Sequence, residues 1–216
     1  MVRSYLYVPG SRPERFSTAM SSGTDAVIFD LEDAVPVAAK PDALDAVVEQ
    51  LRTPSEPKIQ RWVRINAGQL GLTELDRLAG LPELSGVLVP KATSESLSRA
   101  VEVMVGIRVI ALIESAQGIL QLPEIAKSNG ITQLAIGEVD LAADLEMSPS
   151  PDGRELDSLR LNVVVASAAF GLLPPIGPVW VDIPDRDGLT ESTLHLRRLG
   201  FGSRQALHPD QIDAIN

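Results

Sequence analysis

The sequence contains no cysteine, and aromatic residues make up only 4% of the chain. The absence of cysteine excludes disulfide bonds and thiol catalysis, and it is typical of a cytoplasmic protein. Because aromatic residues are scarce, the apolar content comes mostly from Val, Ile, Leu and Ala, which are the usual residues of buried parallel strands. We therefore expect a cytoplasmic protein that is built on a parallel sheet.

Long apolar runs and a positive net charge are also missing. No run approaches the roughly 20 residues that a membrane-spanning helix needs, and residues 1–20 are too rich in charge to resemble a signal peptide. The 216 residues carry a formal net charge of −10, which disfavours nucleic acids and anionic membranes as partners. An anionic small molecule stays open as a substrate, because the local field of a site can oppose the net charge.

Short apolar runs recur along the chain, and each is followed by a polar stretch that suits a helix. The predicted strands are 4–9, 26–31, 61–66, 86–91, 108–114, 133–138, 179–183 and 203–209. Helices are predicted over 12–22, 38–51, 94–104, 115–128, 154–171 and 187–199. This alternation predicts one α/β domain over residues 1–216, a (β/α)8 TIM barrel. An open doubly wound sheet is the alternative, but no Gly-x-Gly-x-x-Gly motif follows the first strand.

Ionisable and amide residues are concentrated where the predicted strands end. They are Asp30, Glu32, Asp33, Arg64, Asn66, Lys91, Glu114, Glu138, Asp140, Asp182 and His208. Active sites of (β/α)8 barrels lie at the carboxyl ends of the strands, so these side chains are expected around one rim. The alternation of side chains along a strand predicts that Arg64, Glu114 and Asp140 converge over the mouth of the barrel.

The residue types at this rim favour magnesium. Mg²⁺ takes one or two protein carboxylates and completes its octahedron with water and substrate oxygens, which suits Glu114 and Asp140. Two histidines and no cysteine disfavour structural zinc. Single residues keep structural alternatives, since Glu114 and Arg64 can form a purely structural ion pair. Residues 147–153 are predicted to form either a mobile flap over the site or an ordinary surface loop.

Seven segments, in this order, carry a resemblance to a known family. They are YVPGSRPERF, AVIFDLEDAV, WVRINA, GVLVPKATS, VIALIESAQGI, AIGEVDLAADL and ALHPDQI. Together they resemble the citrate lyase β-subunit-like family, which is related to malyl-CoA lyase and to the HpcH/HpaI class II aldolases. The resemblance implies a Mg²⁺-dependent carbon–carbon lyase that cleaves a hydroxy-dicarboxylyl-CoA thioester, such as malyl-, citramalyl- or citryl-CoA, into a keto acid and an acyl-CoA. It also implies a homo-oligomer, a trimer or a multiple of one.

The resemblance implies roles for individual residues. Glu114 and Asp140 match the metal carboxylates of the family, and Arg64 matches the arginine that stabilises the developing enolate. Glu32 and Asp33 match acids that orient this arginine or metal-bound water.

Cationic residues near the rim are candidates for binding the CoA part of the substrate. They are Arg12, Arg15 and Lys91. Arg12 and Arg15 lie at a predicted helix start, which also favours phosphate. A solvated helix face is the alternative for these two arginines.

Two features depart from the family pattern. Val139 stands where the family usually has an acid or amide before the metal aspartate, and the sequence ends at Asn216, soon after His208 and Pro209. We therefore expect a barrel without the C-terminal lid extension that is typical of malyl-CoA lyases. Two other functions stay open: a Mg²⁺-dependent acyl-CoA thioesterase, and a non-catalytic acyl-CoA-binding or complex subunit.

Overall fold

The structure is a computed structural model that describes residues 2–54 and 59–216. Its strands pair in parallel and close into a barrel in chain order, which confirms the predicted (β/α)8 fold. The strands are β1 (Ser4–Pro9), β2 (Ala26–Asp30), β3 (Gln60–Arg64), β4 (Gly86–Val89), β5 (Arg108–Ile113), β6 (Ile131–Ile136), β7 (Leu173–Gly177) and β8 (Ser203–Ala206).

Helices surround the barrel. They are α1 (Phe16–Met20), α2 (Lys40–Arg52), α3 (Gly68–Leu78), α4 (Ser94–Val103), α5 (Ala116–Leu120), α6 (Leu122–Ala126), α7 (Glu138–Asp144), α8 (Asp157–Ala169), α9 (Arg186–Leu199) and α10 (Ile212–Ile215). Within the two described ranges, no helix is both long and apolar enough to cross a bilayer.

The core has two layers, because successive side chains of a strand point to opposite faces. The outer layer lies between strands and helices, where Ala43, Val47 and Leu51 form the buried face of α2. The inner layer fills the barrel with the ring of Trp62 and aliphatic side chains such as Ile110. The barrel interior is therefore packed, and open space occurs at its ends.

The seventh strand lies at Leu173–Gly177, so the prediction of a strand over 179–183 is wrong. Residues 179–183 belong to the loop between β7 and α9, and Val181 there is 66% exposed. The sequence is misleading here because β7 contains Pro174 and Pro175, which cannot donate ladder hydrogen bonds and usually argue against a strand. Asp182 is accordingly an exposed loop residue rather than the end of a strand.

The end of β6 also differs from the prediction. Strand β6 stops at Ile136, and Glu138 and Asp140 lie in the first turn of α7 rather than on an extended strand. Acidic residues in a first turn are stabilised by the helix dipole. Helices α3, α7 and α10 were not predicted, and the predicted helix 115–128 is split into α5 and α6, with Pro123 in the first turn of α6.

Candidate functional site

A cavity of about 510 Å³ lies at the carboxyl ends of the strands. Its polar lining includes Asp30, Asp33, Arg64, Glu114, Glu138, Asp140 and Gln205. Arg64, Glu114 and Asp140, which were predicted to converge over the mouth of the barrel, thus all line one cavity. Glu32 and Lys91 lie beside it and contact its lining residues.

Arg64 is the centre of a cluster of acids. It ends β3 and is paired in register with Asp30, the last residue of β2. Its guanidinium binds Asp30 in a bidentate manner, with Nε and Nη2 at 2.6 and 2.7 Å from the two carboxylate oxygens. Nη1 lies 2.9 Å from Glu32 Oε2, an ion contact without aligned hydrogen-bond geometry, and 3.1 Å from Asp33 Oδ2.

The charges of this cluster hold Arg64 as a cation. Burial alone would lower the pKa of Arg64, but the hydrogen-bonded Asp30 and the other neighbouring acids outweigh burial and raise that pKa above its usual value. The guanidinium carbon also lies 5.0 Å from the centre of the Tyr7 ring, within cation–π range. Arg64 is therefore a fixed, permanently charged group at the edge of the cavity.

Glu32 is buried behind Arg64, between two cations. Its Oε1 lies 3.3 Å from Lys91 Nζ, and its Oε2 faces Arg64. Burial raises the pKa of Glu32 to about 7; the charge of Arg64 opposes this shift, and neighbouring Asp33 adds to it. Glu32 is thus a carboxyl group that changes charge near neutral pH.

Glu114 follows β5 directly and is 4% exposed. Its Oε1 accepts a hydrogen bond of 2.7 Å from the backbone N–H of Lys91. A Cβ atom at Gly137 would lie 2.8 Å from Oε2, so this glycine leaves room for the carboxylate. Burial raises the pKa of Glu114 to about 7; the hydrogen bond from the N–H of Lys91 opposes this shift, and the charges of Glu32 and Asp140 add to it.

The backbone of Lys91 has a φ of +46°, a left-handed conformation that residues other than glycine seldom adopt. This conformation directs the N–H of Lys91 at Glu114, while the side chain reaches Glu32. Strained backbone of this kind is concentrated at functional sites. Lys91 thus links the two buried glutamates.

Asp140 reaches the cavity from the first turn of α7, where its two neighbours behave differently. Glu138 also lines the cavity, but both of its carboxylate oxygens bind Arg160, at 2.6 and 2.7 Å. Val139 is 58% exposed and also lines the cavity. The Glu138–Arg160 pair therefore anchors the turn that presents Asp140.

The acids of the rim fall into two sets. Asp30, Glu32 and Asp33 are all paired with Arg64, and Glu32 also with Lys91. Across the described ranges, neither Glu114 nor Asp140 has a side-chain nitrogen of Lys, Arg or His within the 4.0 Å of an ion pair. Within the described part of the chain, these two carboxylates therefore line the cavity without an ion-pair partner.

Other predicted residues lie elsewhere on the molecule. Arg12 and Arg15 are exposed around a short 3₁₀ turn after β1, and Arg12 Nε is 2.5 Å from Glu14 Oε1. Asn66 is buried and turned toward α2 and α3. His208 caps the 3₁₀ turn Pro209–Gln211, and its Nδ1 accepts from Asp210 N at 3.3 Å. Of the predicted flap or loop at 147–153, residues 149–153 line a second cavity of about 320 Å³, and none lines the main one.

Two lining residues were missed by sequence reasoning. The hydroxyl of Tyr7 donates to Gln205 Oε1 at 2.7 Å, and the Gln205 amide donates to the carbonyl oxygens of Ile136 and Gly177. Burial raises the pKa of Tyr7, so its hydroxyl stays protonated. Tyr7 shares the inward face of β1 with Tyr5, which is the signal that could have indicated it.

Comparison with known proteins shows the family of the chain. A model of the HpcH/HpaI aldolase/citrate lyase family matches residues 3–209. The chain belongs to this family. It is 37% identical, over 98% of its length and 76% of the relative, to a citrate lyase subunit beta-like protein of Mycobacterium tuberculosis. It is 33% identical, over 99% of its length and 75% of the relative, to a (3S)-malyl-CoA thioesterase of Cereibacter sphaeroides.

A solved structure of the CitE protein from M. tuberculosis, in complex with magnesium, acetoacetate and coenzyme A, has the same fold. Its TM-score to this chain is 0.86 at 33% sequence identity, and the match covers 99% of this chain and 79% of that one. The likeness therefore extends over the whole barrel, and it includes a homologue whose structure contains magnesium.

Proposed function

We propose that this protein is a Mg²⁺-dependent carbon–carbon lyase that cleaves a hydroxy-dicarboxylyl-CoA thioester, such as malyl-, citramalyl- or citryl-CoA, into a keto acid and an acyl-CoA. The observation that carries the proposal is the pair of carboxylates, Glu114 and Asp140, that line the same cavity as Arg64 and form no ion pair with any described residue. Membership of the citrate lyase family supports the reaction class.

The residues of the cavity fit magnesium. Mg²⁺ prefers oxygen ligands and takes few of them from the protein, and Glu114 and Asp140 offer carboxylate oxygens that form no ion pair with the residues that the structure describes. No group of three or more His, Cys, Asp and Glu suited to a metal occurs in the described part of the chain, so substrate and water would complete the coordination. The ion, when bound, supplies a Lewis acid that polarises the oxygens of the substrate.

Arg64, Glu32 and Asp33 would have separate roles in the reaction. Arg64 would donate hydrogen bonds to the substrate oxygen on which enolate charge develops, because a fixed cation stabilises the transition state there. Glu32 and Asp33 would hold the guanidinium in place from behind, through the ion contacts of 2.9 and 3.1 Å. Since Arg64 is held before substrate binds, little reorganisation is needed during cleavage.

The CoA part of the substrate would contact cations outside the cavity. Arg12 and Arg15 are exposed on the segment that follows β1, at the end of the barrel where the cavity opens, and the Lys91 side chain is 52% exposed. We propose these three residues as contacts for the CoA phosphates.

We further propose that residues 1–216 form one domain and that the protein is a homo-oligomer. Light scattering after gel filtration would measure the molar mass of the oligomer.

The direct test is turnover of a substrate panel. Purified protein with Mg²⁺ is incubated with malyl-, citramalyl- and citryl-CoA, and keto acid, acyl-CoA and free thiol are measured separately, with EDTA as the control. Keto acid and acyl-CoA in equal amounts, lost with EDTA, are the expected result. Absence of both products with every substrate would overturn the proposal.

Thioester hydrolysis is a second candidate, and the 33% identity to a malyl-CoA thioesterase favours it. The same cavity would then bind a water molecule that attacks the thioester carbon instead of breaking the carbon–carbon bond. Free thiol together with an intact hydroxy acid, and without keto acid, would establish this reaction in the same assay.

A further inference from the structure

A buried chain of hydrogen bonds lies behind the acidic loop of residues 31–35, outside the cavity. It consists of Lys40 at the start of α2, Asn66 after β3 and Glu74 in α3. The Asn66 side chain accepts from Lys40 Nζ at 2.6 Å and donates to Glu74 Oε1 at 2.5 Å. None of the three residues lines the cavity.

The ammonium group of Lys40 stabilises the conformation of the loop through hydrogen bonds. It donates to the carbonyl oxygens of Leu31 and Glu32, both at 2.8 Å, and to Asn66 Oδ1. These are the three donors that an ammonium group has. In the described residues, no carboxylate lies within ion-pair distance of Lys40, so the lysine is not neutralised by a neighbouring acid.

Glu74 holds Asn66 in the orientation that this arrangement needs. It is 1% exposed and accepts from Asn66 N at 2.7 Å as well as from Asn66 Nδ2. Burial raises the pKa of Glu74, although the hydrogen bonds from Asn66 and the charge of Lys40 oppose the shift. A buried carboxylate is costly unless it is hydrogen-bonded, and Glu74 directs both oxygens at one residue.

This chain of hydrogen bonds connects the two backbone segments whose side chains form the Arg64 cluster, namely the acidic loop and the end of β3. Asn66 lies two residues after Arg64, and its amide also donates to Leu31 O at 2.8 Å. Leu31 stands between Asp30 and Glu32, both of which contact Arg64. Movement of Lys40, Asn66 or Glu74 would therefore change the distance between the loop and the end of β3.

We propose that Lys40, Asn66 and Glu74 are positioning residues that hold the acidic loop of residues 31–35 against Arg64. Their importance for turnover rests on the lyase activity proposed above, whereas their effect on the loop does not. Since these three residues contact only one face of the site, substitutions there should leave the carboxylates Glu114 and Asp140 unchanged.

Glu74→Gln tests this chain of hydrogen bonds, because it hardly changes the volume of the side chain. A glutamine presents one acceptor where two Asn66 N–H groups need acceptors, and its own N–H₂ group would face a donor. Asn66 cannot simply flip, because its N–H₂ group would then point at the Lys40 ammonium. Lys40→Met is the second variant, since it keeps most of the length of the side chain and removes all three donors.

Asp45→Asn is the matched control. Asp45 also lies in α2 and pairs with Arg77 of α3 at 2.8 Å, on an exposed surface. This substitution thus removes an acid that bridges the same two helices but does not touch the loop.

The deciding measurement is amide hydrogen exchange over residues 30–35, which is independent of activity. The amide of Glu32 donates to Asp30 Oδ1 and that of Ala34 to Asp30 Oδ2, both at 3.0 Å, so a released loop should lose protection. We expect faster exchange there in Glu74→Gln and Lys40→Met, and wild-type exchange in Asp45→Asn. Unchanged exchange in both variants would overturn the proposal, whether or not the protein is a lyase.

Kinetics and Mg²⁺ titration then distinguish a loss of the position of Arg64 from a disruption of the whole site. With a substrate that wild type cleaves, kcat should fall roughly 10- to 100-fold in both variants, as for other residues that support a site indirectly. The Mg²⁺ dissociation constant should stay within about twofold of wild type. Lys40→Arg should restore part of kcat, because it keeps a cation and donors. Faster exchange with unchanged kcat in a turnover-competent protein would contradict a role in catalysis.

Discussion

The two ends of the barrel are built from the same strands but differ in chemistry. At the carboxyl end, acids and Arg64 surround a cavity of about 510 Å³. At the amino end, a smaller cavity of about 200 Å³ is lined by aromatic, aliphatic and amide groups and by Arg108, and no acid of the described ranges lines it. Arg108 lies over the Trp62 ring at 4.8 Å, and Tyr5 donates to Gln133 Oε1 at 3.3 Å.

This difference indicates that the two ends of the barrel have different roles. In the amino-end cavity Arg108 and Tyr5 have neutral partners, whereas at the carboxyl end Glu114 and Asp140 form no ion pair with any described residue. Changes at the carboxyl end should therefore reduce activity more than stability, and changes at the amino end should do the reverse.

The largest effect is expected at Glu114. Glu114→Gln keeps the shape of the side chain but removes the charge that a divalent cation needs, so Mg²⁺-dependent turnover should fall by more than about 100-fold. Initial rates at saturating Mg²⁺ measure the change, and thermal unfolding checks that the fold is intact. Glu102→Gln, on the exposed surface of α4, is the control and should behave as wild type. A Glu114→Gln protein with wild-type turnover would remove the proposed distinction between the two ends.

Arg64→Lys should have the next largest effect. Lysine keeps the positive charge but cannot form the bidentate contact with Asp30 or present a planar fork to the substrate. We expect kcat to fall about 100-fold or more, while Mg²⁺ binding at Glu114 and Asp140 persists. If metal binding were lost and kcat per metal-loaded site were retained, the assignment of Arg64 to the substrate oxygen would be wrong.

The pH dependence of stability should be a moderate effect that originates at the carboxyl end. The pKa of Glu32 and of Glu114 is raised to about 7 in the folded protein, against about 4.3 when unfolded. Between these values the folded state binds more protons, so the free energy of unfolding of the metal-free protein should fall as pH rises from about 4.3 to 7. Urea unfolding across this range measures the slope, and Glu114→Gln should reduce it. A slope that is the same in wild type and variant would contradict the raised pKa of Glu114.

The smallest effect is expected at the amino end. Arg108→Ala removes the cation–π contact with Trp62 and a hydrogen bond from Nε to Ser85 O. Such a contact contributes about 0.5–1 kcal/mol, so the free energy of unfolding should fall by about that amount while kcat and KM stay unchanged. A large loss of turnover would show that the amino end also takes part in the reaction.

Residues on regular strands could be placed from the sequence. Arg64 and Glu114 follow buried, alternating strands, and this pattern specifies which face each side chain shares. Gln133 and Arg108 show the limit of this reasoning, because they lie on strands at the opposite end of the barrel, and the pairing of both strands includes a register shift.

Irregular connections were not predictable in the same way. Asp140 was expected on a strand, because the alternation of Ile136, Glu138 and Asp140 suits an extended chain as well as the first turn of α7. Lys40 and Glu74 were missed since each depends on a contact between different helices and loops, 26 residues apart for Lys40 and Asn66. Local periodicity carries no information about such contacts.

The measurement that tests the central claim most directly is Mg²⁺ titration by calorimetry of the wild type, Glu114→Gln, Asp140→Asn and Arg108→Ala. If Glu114 and Asp140 hold the ion, wild type and Arg108→Ala should bind one Mg²⁺ per chain, and the two carboxylate variants should lose this binding. Retention of wild-type Mg²⁺ affinity in both carboxylate variants would contradict a metal site at the carboxyl end of the barrel.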